Sequence, residues 1–265
     1  MKKKILLYGN CHLSAIGKWL SENYSDKFEV IDSKDCKMNF FYSSKAFAVQ
    51  HKDNIPKQKY FYKQILKIAE DADIFLFQDV TSSIDELKSE YLYKNYFLNK
   101  LSIRLPNPRF LVYPICDRSI AEYGKFLSND IDLTKDQVFD YLEKKDKIEV
   151  KKIIGNIFDS CMKENEDRSK FNLEIYNNNI DMNQFIEKNW QKKLLFAQWN
   201  HPLRDYFFEL MESLFTYLGE HLDYKKLKKI TYPTRCLNFD EKTILFFKKN
   251  FPEINLSECF VRYVK

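Results

Sequence analysis

A chain of 265 residues with 43 Lys and Arg against 38 Asp and Glu carries a formal net charge of +5, and a mean hydropathy of −0.51 excludes a protein built of membrane spans. Its content of 45% hydrophobic and 16% aromatic residues supports a sizeable core, while only 5 Gly and 7 Pro argue against a turn-rich β-sandwich. Lys alternates with Asp and Glu in most basic patches and no basic stripe with interleaved aromatics occurs, so no nucleic-acid partner is expected.

The basic start Met1-Lys2-Lys3-Lys4 leads into an apolar run of about four residues, where a signal peptide needs roughly 7–15. A transmembrane helix needs about 18 or more apolar residues, and no stretch approaches that. The expectation is a cytoplasmic protein without a transmembrane segment. Residues 4–8 form the first predicted strand, and Gly9 turns the chain into a helix over 12–23 with Leu13, Ile16, Trp19 and Leu20 on one face. Phe28-Glu29-Val30-Ile31 is a second strand, so the opening is a βαβ unit with a parallel pair. No GxGxxG follows the first strand, so the dinucleotide fingerprint is absent.

Residues 33–57 read as a long irregular loop holding His51, and 58–70 as an amphipathic helix. Asp73-Ile74-Phe75-Leu76-Phe77 is apolar enough for a central parallel strand, ending in Gln78 and Asp79, at the strand end where open α/β sheets bind ligands. Ser83 to Glu86 has capping-box spacing. Pro106 and Pro108 precede Arg109-Phe110-Leu111-Val112-Tyr113, a predicted fourth strand stopped by Pro114. Residues 134–190 read as helical, with Val138, Tyr141 and Leu142 on one face, Ile148, Ile153, Ile154 and Ile157 further on, and breaks at 177–179. Leu194 to Gln198 reads as a strand running into His201, with Pro202 opening a helix that stops near Gly219; residues 239–251 form a last helix. The fold expected is α/β: a mostly parallel open sheet flanked by helices, one domain over 1–265, with a helical insertion at about 130–190.

The chemistry centres on Tyr8-Gly9-Asn10-Cys11-His12. A cysteine in the first turn of a helix gains thiolate character from unpaired N–H groups and the helix dipole. His201 has the same predicted address, a strand end before a helix. A thiolate with a histidine is the basic unit of covalent acyl transfer, and the N–H groups of Cys11 and His12 could serve an oxyanion. Asp79, Asp117 and Asp205 are candidates for orienting the imidazole. The six cysteines at 11, 36, 116, 161, 236 and 259 show no metal-ligand spacing, so no metal is expected.

The Gly9-Asn10-Cys11 turn resembles the WcbI-type family of bacterial polysaccharide-biosynthesis proteins. So do the Asp73 to Gln78 strand, the block Phe110 to Pro114, and Leu195-Phe196 leading to Asn200-His201-Pro202. The blocks occur in family order over most of residues 4–218, and the Gly-Asn-Cys and Asn-His-Pro pair is the specific part. The resemblance implies a capsule-biosynthesis role, binding of coenzyme A or acetyl-CoA as donor, and O-acetylation of a sugar or glycan precursor. By motif match it makes Cys11 and His201 the reactive pair, with Asn10 and Gln78 lining the pocket. Gly9, His12, Asp79 and Asn200 complete the expected binding surface.

The elbow also resembles that of SGNH hydrolases, with Cys11 in place of their serine. It departs from them in having Gln198 where their aspartate precedes the histidine, and in lacking a GxND block. His12 departs from the WcbI-type pattern, where Gln is expected. Coenzyme A needs cations for its phosphates: Arg118 and Arg204 are preferred because they follow predicted strand ends, with Arg104, Arg109 and Lys18 as further candidates. Two other readings use the same residues: a glycan esterase or deacetylase, and a non-catalytic coenzyme A- or glycan-binding module.

Overall fold

Strands apolar at every position suit only a sheet covered on both faces. Lys3–Tyr8 (β1) and Ile74–Phe77 (β3) end in four and comprise four fully buried residues, respectively. A computed structural model describes residues 1–9, 11–31, 55–80, 85–198, 201–227 and 239–256. His51, Ser83, Asn10 and Asn200 lie outside the described residues. Those described form two compact units: one takes residues 1–107, 171–181 and 212–227, the other 108–170, 182–211 and 239–256.

The first unit holds a four-stranded parallel sheet. Its elements are β1, Cys11–Asn23 (α1), Phe28–Val30 (β2), Ile55–Asp71 (α2), β3, Ser89–Leu92 (α3) running into a π turn over Tyr93–Phe97, and Leu101–Arg104 (β4). The strand order is β2-β1-β3-β4, and every pairing is parallel, with Tyr8 opposite Phe77 and Phe77 opposite Arg104. The carboxyl ends of β1, β3 and β4 therefore lie side by side. The predicted apolar face of α1 is realised: Leu13, Ile16, Trp19 and Leu20 are all buried. Gly17 permits this approach, since a methyl there would come within 2.3 Å of Leu7 Cδ1. Phe75 stacks on Phe77 and Phe97 at 4.4 Å centroid separation in each case, and Tyr176 meets Phe77 edge-on. Trp19, Tyr24 and Phe215 form a second aromatic group.

The second unit is mainly helical: Asp117–Ser128 (α4), Lys135–Glu143 (α5), Lys147–Ile175 (α6, whose last turn belongs to the first unit), Asn183–Asn189 (α7) and Glu241–Asn250 (α10). It also holds the antiparallel pair Phe196–Gln198 (β5) and His201–Pro202 (β6), followed by Arg204–Leu218 (α8), which ends in the first unit at Gly219 with φ 68°. Tyr224–Leu227 (α9) belongs to the first unit. Tyr141 and Ile148 are exposed rather than facing the core with Val138 and Ile154.

Two strand expectations are corrected. Residues 109–113 form no strand; the fourth strand is β4, which the sequence reading passed over. Residues 110–113 are buried, but backbone groups of the segment pair with side chains. Arg109 N–H donates to Asn165 Oδ1 at 2.8 Å, Asn165 Nδ2 donates to the Arg109 carbonyl, Leu111 N–H meets Cys161 Sγ, and Tyr123 Oη–H donates to the Val112 carbonyl. The second correction concerns His201. It opens β6, paired antiparallel with β5 and outside the four-stranded parallel sheet, and the next helix begins at Arg204 rather than Pro202.

Asp240 caps α10, accepting from Thr243 N at 2.8 Å and Thr243 Oγ1 at 2.6 Å, while Lys135 Nζ reaches its other oxygen at 2.6 Å. Burial pushes this carboxyl up, but the bonds from Lys135 and Thr243 outweigh it and hold the group at about 2, against an ordinary 3.8. A depressed folded-state value makes the contribution full above the unfolded value and lost as pH falls through the folded one. Urea midpoints should therefore drop more steeply between about pH 4 and about pH 2 in the native chain than in Asp240→Asn; identical declines would contradict this reading.

Candidate functional site

β1 ends at Tyr8 and α1 starts at Cys11, so the backbone places Cys11 as the first residue of a 13-residue helix, just past the carboxyl end of a central strand. Gly9 has the space of a glycine rather than its dihedral freedom: its φ is not positive. A methyl on it would come within 2.6 Å of Leu13 Cδ1 and 3.0 Å of Gln78 Cβ. The elbow is thus pressed directly against the end of β3.

Gln78 is buried, and its amide nitrogen lies 2.8 Å from the Pro106 carbonyl and 3.3 Å from His12 Nδ1. The bond to the Pro106 carbonyl fixes the amide with its nitrogen toward the ring, so His12 Nδ1 is placed as the acceptor. His12 is 1% exposed. Both residues hold the ends of β1, β3 and β4 together, a positioning duty that their sequence assignment to ligand binding did not foresee.

The next two residues are held as firmly. Ser89 Oγ donates to the Gln78 carbonyl at 2.7 Å and accepts from Val80 N–H at 2.9 Å. Asp79 Oδ2 accepts from Arg104 Nε at 3.0 Å, Arg104 Nη2 at 2.5 Å and Asn172 Nδ2 at 3.1 Å. Arg104 Nη1 donates to Asn179 Oδ1 at 2.8 Å. Arg104 is 4% exposed, so it is no surface cation for a phosphate, and Asp79 is engaged by Arg104 and Asn172 rather than by an imidazole. Ser89, Asn172 and Asn179 went unnoticed in the sequence because polar residues in helical or Asn-rich stretches carry no local sign of a long-range partner.

The remaining candidates divide as follows. Arg109 is paired with Glu164 at 2.7 Å and with Glu122, and Lys18 with Glu22. Arg118 and Arg204 are exposed, the latter with its guanidinium 5.0 Å over the Phe208 ring. Asp205 faces Lys193 at 3.5 Å, and Asp117 is exposed in the first turn of α4. His201 is half-buried, and burial lowers its pKa below the ordinary 6.5. Cys11, Gly9, His12, Gln78 and Asp79 belong to the first unit; His201, Arg118 and Arg204 belong to the second.

A separate pocket of about 270 Å³ lies at the start of α4, lined by Ile115, Cys116, Asp117, Ile131, Thr134 and Lys135. Cys161 is buried, which pushes its thiol up to about 11, so it is an inert packing group. Among the described residues no group of three or more His, Cys, Asp or Glu could hold a metal ion, and no helix is long and apolar enough to cross a membrane.

No family model matches the sequence, and no curated protein matches it. Among solved structures, one of WcbI is similar over 90% of this chain and 75% of its own, with a TM-score of 0.57 and 17% sequence identity. The chain shares the fold of WcbI. WcbI is described as a novel polysaccharide biosynthesis enzyme, and that structure as the native protein without a disulfide bond between coenzyme A and one of its cysteines. At 17% identity the likeness to WcbI is one of architecture.

The buried Arg104–Asp79 pair gives a stability test. Removing one partner of a buried ion pair typically costs about 3–5 kcal/mol, because the other charge is left uncompensated. Here Asp79 keeps some solvent, with 35% of its side chain exposed, so Arg104→Met is expected near the lower end, about 3 kcal/mol, in urea denaturation. A loss under about 1 kcal/mol would show that the pair behaves as a surface bridge.

Proposed function

We propose that this chain is a polysaccharide-biosynthesis enzyme that transfers an acyl group, from acetyl-coenzyme A, to a hydroxyl of a sugar or glycan precursor of capsule type. One observation carries the reading: Cys11 is the first residue of α1, directly beyond the carboxyl end of a central parallel strand. It stands there in a fold shared with a polysaccharide biosynthesis enzyme whose structure was described with reference to a coenzyme A–cysteine disulfide.

Acetyl-coenzyme A, when bound, would supply the acyl group as a thioester, with coenzyme A leaving as the free thiol. Its phosphates need cations, and the exposed Arg118 and Arg204 fit that need, whereas the buried Arg104 does not. Cys11 is the acyl-accepting thiol, its thiolate favoured by the N–H groups and dipole of α1. The backbone N–H groups of Cys11 and His12 stabilise the oxyanion. His201, with its pKa lowered by burial, is neutral near pH 7, the state in which an imidazole takes a proton from an acceptor hydroxyl. Gly9, His12 and Gln78 keep the elbow against the neighbouring strand ends, and Asn10 and Asn200 flank the reactive pair in sequence.

A hydrolase would use the same pair with water as acceptor, and a binding module would turn nothing over. Mass spectrometry after incubation with acetyl-CoA is expected to find one acetyl group on Cys11. Cys11→Ala should lose the adduct and at least about a thousandfold of the acyl transfer. Acetate release that no sugar suppresses would assign a hydrolase instead. A folded protein that binds coenzyme A but neither acquires an adduct nor turns over any acyl donor would overturn the enzymatic reading.

A further inference from the structure

We propose that Asp79 is a sugar-hydroxyl acceptor: its Oδ1 receives a hydrogen bond from a ring hydroxyl of the glycan substrate, which marks the carboxyl edge of β3 as the acceptor side of the site. This rests on the glycan-modifying reading above and names a residue and ligand group for it.

The geometry is that of an aimed carboxylate. An Arg–carboxylate pair commonly forms two parallel bonds, one to each oxygen. Here Arg104 Nε and Nη2 both donate to Oδ2, and Asn172 adds a third bond to the same atom. Oδ1 accepts no hydrogen bond among the described residues, and the side chain is 35% exposed where that of Arg104 is 5% exposed. A carboxylate needed only to neutralise Arg104 gains nothing from loading one oxygen three times. The backbone on either side is fixed by Ser89, and Asn179 takes the remaining Arg104 donor. Oδ1 is therefore held still without help from a ligand, so little ordering entropy remains to be lost on binding.

Charge decides the ligand class. The guanidinium neutralises most of the carboxylate's charge, so a cation gains little. A phosphate would meet an acceptor oxygen with no proton to offer it. A neutral hydroxyl donor matches both conditions. Coenzyme A has neutral donors of its own, in its pantetheine hydroxyl and amides and its adenine amine, and the adenosine probe and the coenzyme A titration below separate these from the glycan.

The test is saturation-transfer difference NMR on the full chain with N-acetylglucosamine, galactose, mannose and adenosine as probes, alongside calorimetric titration of coenzyme A. Asp79→Asn can keep the bonds to its side-chain oxygen and turn an amide NH2 toward the ligand, replacing an acceptor with a donor. The double variant Asp79→Asn/Arg104→Gln removes both charges together and guards against loss of fold. At least one of the three sugars should bind the native chain, and both variants should weaken it about tenfold or more, while coenzyme A affinity changes less than about twofold. No sugar signal with the native chain, equal signals in folded variants, or an effect confined to adenosine would overturn the assignment. Failure of the native chain to bind coenzyme A, with the sugar effect intact, would strike the acyl-transfer reading and leave Asp79 in its role.

Discussion

A guanidinium cannot be taken out of water unless its charge is balanced and its donors are satisfied, and Arg104 at 4% exposure imposes that demand on everything around it. It closes β4, the edge strand of the parallel sheet. Its side chain binds Asp79 past the end of β3 and Asn179 in the stretch after α6. Its backbone pairs with the same stretch, through Asn178 and Ile180. Three segments distant in sequence are thus fastened at one point, and that point sits at the end of the sheet where α/β folds put their chemistry.

The elbow before Cys11 depends on the same edge. Gly9 leaves little room for a side chain because Leu13 and Gln78 stand against it. Gln78 in turn bridges His12 and the Pro106 carbonyl. So the first turn of α1, through His12, the residues that follow β3 and the chain leaving β4 form one hydrogen-bonded assembly. His12 and Gln78, held this way, give the start of α1 a fixed place beside the strand ends.

Much of this frame was legible in the sequence because it is local. The apolar runs of β1 and β3, the 3.6-residue spacing of Leu13, Ile16 and Leu20, and the βαβ opening all follow from patterns within a few residues. What escaped is long-range. β4 contains Ser102 and Arg104, polar residues that disguise a buried strand, and both are buried because distant residues or local carbonyls satisfy them. Arg109 to Tyr113 has the composition of a strand, yet Asn165, Cys161 and Tyr123 take its backbone bonds. His201 was recognised as a candidate from its motif, but its strand belongs to a two-residue antiparallel pairing that periodicity cannot reveal. The candidate site was readable in the sequence at Cys11, Gln78 and Asp79, which follow strand ends, while the support that Asn172 and Asn179 give Asp79 and Arg104 was unreadable because those partners lie elsewhere in the chain.

The central claim is that the strand-to-helix elbow at Cys11 is the thiol end of a coenzyme A site. A crystal structure of the full chain soaked with coenzyme A tests it most directly. The account predicts the pantetheine sulfur in contact with, or disulfide-bonded to, Cys11, with the sheet's carboxyl edge beside it. Coenzyme A bound with its sulfur turned away from Cys11, or no binding at millimolar concentration, would contradict it.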